Sequence, residues 1–376
     1  MADGWGFTLS LWIGPTVPLP APQPVIDALT SVQVTTASGQ KSGFQLTFTV
    51  SKTSPIMRAL LPVGYFDPPT RVIITTTIRG LPTPIMDGVI TRHELAPSND
   101  PGQSKLTITG EDVSRMMQLI DFSGFPWAAM PAEARVATMV AKYGMYGIVP
   151  LVVPSVKVDV PNPLDEIPSQ YGTDLDYINQ LADTVGYVFY VDPGPLPGMN
   201  TAYWGPEIKV GLPQPALTVD SDGASNVESL SFSFDGFAKT LFVIVIQEPN
   251  SKAPIPIPVP DVNPLQPPLG LKPPLPLKVS PLRGMAKLTP LQAGAIGLAK
   301  AAQAADVISG SGTLDVLRYG RVLKARQLVG VRGAGLSYDG FYFVKSVTHT
   351  IKRGEYKQSF SLSRNATIPF LPFIPT

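Results

Sequence analysis

Hydrophobic and polar positions alternate most clearly near the C-terminal end of the chain. Tyr356, Gln358, Phe360 and Leu362 occupy one set of positions, and Lys357, Ser359, Ser361 and Ser363 occupy the other. This period of two is typical of a strand with one buried face. The preceding segment, 340–351, is also strand-like, and Gly354 between the two can adopt the positive φ that a tight turn needs. The pattern predicts a β-hairpin over 340–366.

Short strand patterns also fill residues 30–110. The segments "GFQLTFTV", "TRVIITTTIRG", "PIMDGVITRHEL" and "SKLTITG" are rich in Val, Ile and Thr. Clusters of Pro, Gly, Asn and Asp separate them, as expected for turns between strands. Several short strands at this spacing predict a small closed or half-closed barrel.

The period changes to that of helices after residue 110. Helices are predicted over 110–120, 131–145 and 172–187, followed by a strand "YVFYVD". Glu111 and Asp112 are expected at the N-terminal end of the first helix, and Thr173 or Asp174 is expected to cap the third. Residues 112–210 are therefore predicted to form a small α/β module inserted between β-rich regions.

Strand patterns return in "NVESLSFSFDGFAKTLFVIVIQE", and the chain then becomes rich in proline over 249–285. Because proline lacks an N–H donor and fixes φ, this segment is predicted to be an extended arm, either a spacer or a docking site for a proline-recognising domain. An Ala-rich helix is predicted over 288–309. The predicted fold class is a β-rich α+β protein, with one barrel domain and an N-terminal arm in 1–111 and a second barrel in 211–376.

Two hairpins of the chain resemble each other. Segments 86–112 and 338–366 both begin near an Asp-Gly pair, and both contain a strand that carries one of the two histidines, His93 and His349. Each continues through a polar turn into an alternating strand. This similarity predicts an internal repeat of a barrel-like domain, the alternative being two unrelated hairpins of similar composition. Two related barrels in one chain would let a ring hold more sites than subunits.

Composition and charge exclude several classes of function. The chain has 29 Lys and Arg against 28 Asp and Glu, a net charge of +1, which provides no broad electrostatic surface for nucleic acid. Only 15% of the residues are charged, below the typical quarter, which favours an oligomer whose partners cover its surface. The absence of cysteine excludes disulfides, thiol nucleophiles and zinc sites built on cysteine. No secretory signal and no membrane span are expected from the hydropathy pattern.

Candidate catalytic groups are few. Asp165 with Glu166, and Asp174 with Asp176, could be proposed as the paired carboxylates of a glycoside hydrolase. The pair at 174 and 176 fits the first turn of a helix better, where the helix dipole stabilises carboxylates. The glycine-rich "GVRGAG" lacks the spacing and the Lys of a phosphate-binding loop. No catalytic, cofactor-binding or metal-binding residue is predicted, and both histidines are expected to be structural residues of a barrel wall.

The order of these segments resembles a known family. "DGVITRHELAPSNDPGQSKLTITGEDVSRMM", "QYGTDLDYINQLADTVGYVFYVD" and "YGRVLKARQLVGVRGAGLSYDGFYFVKSVTHTIKRGEYKQSFSLSRNA" follow the order found in central baseplate hub proteins of contractile tails. These are the late-control protein D family of tailed phages and the hub part of type VI secretion and contractile injection system spike proteins. The resemblance implies two tube-like β-barrel domains per subunit and a homotrimer. A trimeric ring with a central channel would then adapt a six-fold tail tube to a three-fold spike.

The resemblance also implies partners and a location. Besides two further copies of itself, the chain is expected to contact the tail tube protein, a separate spike protein, and baseplate wedge or sheath-associated proteins. The spike is expected as a separate chain because nothing after residue 366 resembles the fused OB-fold and β-helical spike of some relatives. Assembly is expected in the bacterial cytoplasm, before the protein becomes part of a virion or an injection particle. Two alternatives from other classes are a particle-borne enzyme that degrades the cell wall and a carbohydrate-binding β-module, which would usually expose aromatic residues on one sheet face.

Overall fold

The computed structural model describes residues 6–100, 102–155, 160–164, 167–220, 225–247, 254–259, 265–282 and 290–370. The strands of these residues, in chain order, are β1 (Phe7–Gly14), β2 (Leu19–Pro20), β3 (Leu29–Ala37), β4 (Gly43–Val50), β5 (Arg71–Ile78), β6 (Leu81–Ala96), β7 (Ser104–Asp112), β8 (Ile148–Val152), β9 (Val188–Pro193), β10 (Asn200–Gly205), β11 (Gln214–Thr218), β12 (Val227–Phe234), β13 (Thr240–Gln247), β14 (Pro254–Pro258), β15 (Lys278–Leu282), β16 (Ile308–Asp315), β17 (Leu328–Arg332), β18 (Gly340–Lys352) and β19 (Glu355–Arg364).

Helices are few. The α-helices of the described residues are α1 (Gln23–Ala28), α2 (Ala132–Ala141), α3 (Asp174–Val185), α4 (Pro290–Gln303) and α5 (Val316–Tyr319). Two 3-10 helices cover Val113–Gln118 and Gly144–Tyr146, and a short π-helical turn covers Ile56–Leu60. None of the helices in the described part of the chain is long and apolar enough to cross a membrane.

One sheet of 13 strands dominates the molecule. Its strands are paired in the order β12-β16-β19-β18-β3-β4-β7-β6-β5-β1-β2, with β17 beside β18 and β11 beside β17. One hydrophobic core follows this sheet from β1 to β19. The alternating segment "GFQLTFTV" buries one face as the sequence predicts, since Phe44, Leu46 and Phe48 are all buried. The predicted β-rich α+β fold class is confirmed.

The two halves of this sheet have the same strand order. The first half runs β3-β4-β7-β6-β5-β1, and the second runs β12-β16-β19-β18-β17-β11, so that strands correspond one to one in chain order. The outermost pair differs, because β1 lies antiparallel to β5 whereas β11 lies parallel to β17. The two hairpins that resemble each other in sequence, β6–β7 and β18–β19, occupy the same place in each half. The topology therefore supports the internal repeat.

A separate core holds the segment predicted as an α/β module. Strands β8, β10 and β9 form a three-stranded sheet in that order, and α2 and α3 pack with it around Met139, Ile178 and Trp204. Helix α3 matches the predicted helix over 172–187 but is shorter at each end. A capping box between Thr173 and Asp176 begins it, and Gly186 at φ +72° ends it.

The predicted helix over 110–120 is wrong in its first part. Strand β7 continues to Asp112, and only the 3-10 helix Val113–Gln118 follows. The strand continues because both neighbouring strands still pair with it: Gly43 of β4 pairs with Glu111, and Gly88 of β6 pairs with Asp112. Gly110 allows close packing of β7 on β4, since a Cβ there would lie 2.3 Å from the Phe44 ring. Asp112 does cap the short helix, accepting a hydrogen bond from the Ser114 N–H at 2.9 Å.

Two further boundaries differ from the sequence expectations. Parts of the proline-rich 249–285 segment form strands β14 and β15 on either side of β13, instead of a purely extended arm. Proline is tolerated in β14 because this strand pairs with β13 on one side, and an edge strand can turn proline positions outward. The helix predicted over 288–309 ends at Gln303, since residues 308 and 309 already pair with β19 as the start of β16.

Candidate functional site: the junction between the two halves of the sheet

Strand β18 joins the two halves of the sheet. Its first part pairs with β17, and its second part, Ser346–Lys352, pairs antiparallel with Ser31–Ala37 of β3. The change of partner occurs at a bulge between Val344 and Ser346. On one face of the new pair the hydroxyls of Thr35 and Thr348 are 3.0 Å apart. Strand β18 of the second repeat therefore also pairs with a strand of the first, and the sheet is continuous from one repeat to the other. The name junction refers below to this pairing of β18 with β3.

A buried cluster of charges flanks the junction. The Lys209 ammonium lies 2.9 Å from Asp306, and Lys345 at the bulge lies 3.2 Å from the same carboxylate. Burial by itself raises the pKa of Asp306, but the two lysines outweigh it, so the pKa of this carboxyl is below its ordinary value. Asp306 therefore stays ionised and ties the start of β16 to β18.

Arg326 connects the junction to the α/β segment. Its guanidinium donates a hydrogen bond of 2.6 Å to the Ala37 carbonyl at the end of β3, and it forms an ion pair with Asp192 of β9. The same group lies 4.1 Å from the centre of the Tyr190 ring. Burial raises the pKa of Asp192, and the Arg326 charge partly opposes this. One side chain thus holds three elements from distant parts of the chain.

A second buried ion pair fixes the α/β segment to the first half of the sheet. Arg71 of β5 donates to both carboxylate oxygens of Asp87, at 2.8 and 2.6 Å, and also to the carbonyls of Tyr146 and Gly198. Asn200 donates to the same carboxylate at 2.8 Å. The pair is bidentate and excluded from water, with side-chain exposures of 4% and 1%. It therefore fixes the orientation of β10 relative to β5 and β6.

The two histidines lie in two strands of the 13-stranded sheet, β6 and β18. His349 is buried in β18, with Nδ1 2.8 Å from the Tyr356 hydroxyl, and burial lowers its pKa to about 3. It is neutral at physiological pH. His93 lies in the partly exposed end of β6, with Nε2 3.3 Å from Asp67. The structure does not bring the two together.

Two of the four carboxylates considered from the sequence, Asp174 and Asp176, have structural contacts. Asp174 is buried and lies 2.7 Å from the Lys142 ammonium, while Asp176 completes the capping box of α3. Asp165 and Glu166 lie outside the described residues. Within the described part of the chain, no three His, Cys, Asp or Glu side chains are grouped so that they could hold a metal ion.

A cleft of about 630 Å³ lies between the junction and the α/β segment, lined in part by Asp112, Tyr187, Arg326 and Lys345. Burial raises the pKa of Asp112, although its hydrogen bonds with Ser114 act in the other direction. The cationic groups of the cleft are in ion pairs: Arg326 and Lys345 form those described above, and Lys41 lies 3.4 Å from Glu111. This arrangement is suited to holding strands and segments in place.

Sequence reasoning did not identify Arg71, Asn200, Arg326 or the Lys209–Asp306 pair as important. Arg71 gave a usable signal, because a charged residue that opens the apolar run "RVIITTTI" must find a buried partner. Arg326 and Asp192 gave none, since they meet only through the fold, 134 residues apart in sequence.

Comparison with solved structures finds the same fold in phage tail proteins. A tail protein from Neisseria meningitidis MC58 matches with a TM-score of 0.61 and 13% identity, over 96% of this chain and 97% of that one. The 43 kDa tail protein of prophage MuSo2 from Shewanella oneidensis matches with a TM-score of 0.60 and 14% identity, over 96% and 99% of the two chains. No protein-family model and no curated protein matches the chain.

A chain of the Francisella PdpA–VgrG complex matches with a TM-score of 0.58 and 8% identity. The match covers 99% of this chain and 54% of that one, so this chain spans about half of the Francisella chain. The resemblance to tail and spike hub proteins that the sequence indicated is thus confirmed at the level of the fold.

Proposed function

We propose that this chain is the structural hub of a contractile tail or injection-system baseplate. Three copies form a ring around a central channel, with residues 1–111 and 211–376 as two tube-like barrel domains in each copy. Six similar barrels then face a six-fold tail tube, and the three-fold symmetry of the ring suits a separate spike protein. The α/β segment, 112–210, lies beside the ring wall.

The observation that carries this proposal is the continuous sheet across two repeats of identical strand order. A ring needs a contact that can be repeated from one unit to the next, and the junction of β18 with β3 is such a contact between consecutive repeats. The fold shared with phage tail proteins supports placing the ring in a tail or a related particle.

Partners and chemistry follow from the same proposal. The hub binds the tail tube protein, the spike and baseplate wedge or sheath-associated proteins, and it becomes part of the particle after assembly in the bacterial cytoplasm. It acts as a scaffold and not as an enzyme, which agrees with the structural use of Asp174, Asp176 and His349. The low fraction of charged residues, 15%, suits a surface that partners cover.

Class-averaged electron microscopy of the purified protein, together with its native mass, tests the proposal. Rings of three chains with an open channel and six wall lobes are expected. Particles that stay monomeric at high protein concentration and moderate salt would contradict the ring and would favour the carbohydrate-binding alternative. A glycan pull-down and a peptidoglycan turbidity assay on the same sample then distinguish binding from degradation.

A further inference from the structure

The correspondence between the two repeats extends to single residues. In β6–β7 the register shifts between Ile90 and Arg92, and in β18–β19 it shifts between Val344 and Ser346. The bulged residues, Thr91 and Lys345, therefore occupy the same position.

Backbone hydrogen bonds give the same alignment independently. The N–H of Ile90 donates to the Thr70 carbonyl at 2.8 Å, and the N–H of Val344 donates to the Gln327 carbonyl at 2.9 Å. In each case the acceptor is the residue just before the strand that pairs with the hairpin, β5 or β17. Ile90 and Val344 are thus equivalent.

The other hairpin of each repeat aligns equally well. The register of β3–β4 shifts at Thr30, after the pair Leu29 and Phe48, and the register of β12–β16 shifts at Glu228, after the pair Val227 and Leu314. After the bulge, Ser31–Thr36 of β3 therefore correspond to Ser229–Phe234 of β12, and Ala37 corresponds to Asp235.

The two strand edges that form the junction have equivalents in β6 and β12, and these equivalent edges do not pair with each other among the described residues. After its bulge, β18 pairs with β3, but the equivalent segment of β6, Arg92–Ala96, pairs with β7 alone among the described residues. In the same residues β12 pairs with β16 alone and ends the sheet. Both free edges carry exposed apolar side chains, including Leu95 and Phe234. Exposed edges of this kind pair with other chains unless they are covered.

We propose that Arg92–Ala96 of β6 pairs antiparallel with Ser231–Asp235 of a second copy of this chain, in the register of the junction. This inference rests on the proposed ring and specifies its contact between subunits. Transferring the observed register of β18 and β3 gives the pairs Arg92 with Asp235, His93 with Phe234, Glu94 with Ser233, Leu95 with Phe232, and Ala96 with Ser231.

The transferred register separates side chains by chemistry. In the junction, Val347 pairs with Thr36 and His349 pairs with Val34 on one face of the sheet, and this face is largely buried. The equivalent pairs of the proposed contact lie on the same face. In the contact with the second copy, Leu95 lies opposite Phe232 and His93 lies opposite Phe234 on that face. The contact therefore packs a leucine side chain and an imidazole ring against two aromatic rings.

The opposite face joins polar groups. Among the described residues, Arg92 forms an exposed ion pair with Glu94 at 3.2 Å, and the proposed register places it opposite the exposed carboxylate of Asp235. Glu94 is placed opposite Ser233, where the junction has the hydrogen bond between Thr348 and Thr35. A shift by one residue would place Leu95 opposite Ser231 or Ser233 and would lose this complementarity.

Because the chain has no cysteine, engineered disulfides can test the register directly. Glu94→Cys with Ser233→Cys is expected to give covalent dimers and trimers under mild oxidation, since the equivalent Thr hydroxyls lie 3.0 Å apart in the junction. Thr35→Cys with Thr348→Cys is the matched control and should form a bond within one chain, leaving the mass on denaturing gels unchanged. Glu94→Cys with Ser231→Cys, two residues out of register, should cross-link at least tenfold less.

Single variants determine the direction of the contact. Glu94→Cys alone and Ser233→Cys alone should not cross-link, whereas a mixture of the two should give dimers and nothing larger. Cross-linking by either single variant alone would overturn the proposed head-to-tail pairing. A charge exchange gives a second readout: Arg92→Asp or Asp235→Arg alone should reduce ring formation, and the two together should restore it.

Electron microscopy of the same variants before oxidation separates the two proposals. Rings that form before oxidation but give no Glu94–Ser233 cross-link after it, or that cross-link better out of register, would overturn this contact and leave the hub function standing. Protein that stays monomeric and does not cross-link at any of these positions would contradict both.

Discussion

Removing the carboxylate of Asp87 is expected to be among the most damaging single changes outside the apolar core. Asp87→Ala deletes three hydrogen bonds, two from Arg71 at 2.8 and 2.6 Å and one from Asn200 at 2.8 Å. It leaves a guanidinium of 4% side-chain exposure without its counter-charge. Breaking a buried ion pair by removing one partner typically costs about 3–5 kcal/mol, because the remaining charge stays desolvated.

The matched control is another aspartate in an ion pair. Asp67 lies 3.3 Å from His93 at the surface, with 59% of its side chain exposed. Exposed pairs contribute about 0–1 kcal/mol, so Asp67→Ala should leave the free energy of unfolding nearly unchanged. Urea unfolding followed by tryptophan fluorescence, at one fixed protein concentration, measures both variants. Hydrogen exchange of β10 should also accelerate in Asp87→Ala and not in Asp67→Ala, since the Asn200 amide loses one of its two acceptors and keeps only the Tyr146 carbonyl.

A double-mutant cycle sharpens the test. Arg71→Ala with Asp87→Ala should cost clearly less than the sum of the two single changes, because removing both partners leaves no unpaired buried charge. The reasoning is refuted if Asp87→Ala destabilises the protein no more than Asp67→Ala does. Additive single effects would equally show that the pair does not act as a unit.

Three further predictions concern single positions. The pKa of His349 is lowered to about 3 by burial, against about 6.5 in an unfolded chain, so its contribution to stability is complete above pH 6.5 and is lost progressively as the pH falls toward 3. His349→Gln should therefore flatten the acid side of the stability profile by up to about 1.4 kcal/mol per pH unit. Gly88→Val should abolish soluble folded protein, because a Cβ there would lie 2.3 Å from the Glu111 carbonyl oxygen. Gly354→Val is the control: its Cβ meets open space, so only the strain of φ +76° should lower the free energy of unfolding, by about 1–2 kcal/mol in thermal unfolding. Thr173→Ala removes the capping box of α3 and should lower stability by about 1 kcal/mol in urea unfolding, and an unchanged midpoint would show that the cap is redundant.

The hydrophobic pattern alone determined most of the individual elements. Period two in 340–366 and in "GFQLTFTV" predicted strands that the structure contains, because an alternating sequence can bury one face only as a strand. Helix α3 was predicted within about two residues at each end from its apolar stripe, its cap and Gly186. The similarity of the two hairpins in sequence likewise predicts the repeat.

Only the tertiary structure decided where these elements meet. The strand Phe7–Gly14 is not predicted from the sequence, since its pattern is short and lies beside prolines. It forms a strand because it pairs antiparallel with β5. The prolines of β14 are accommodated by an edge that sequence does not reveal. The junction of β18 with β3 joins residues about 300 positions apart, and Arg326 joins three distant segments. Local sequence fixes the period and the ends of an element, but the partner of a strand edge or of a buried charge depends on long-range packing, which a single sequence does not encode in any local pattern.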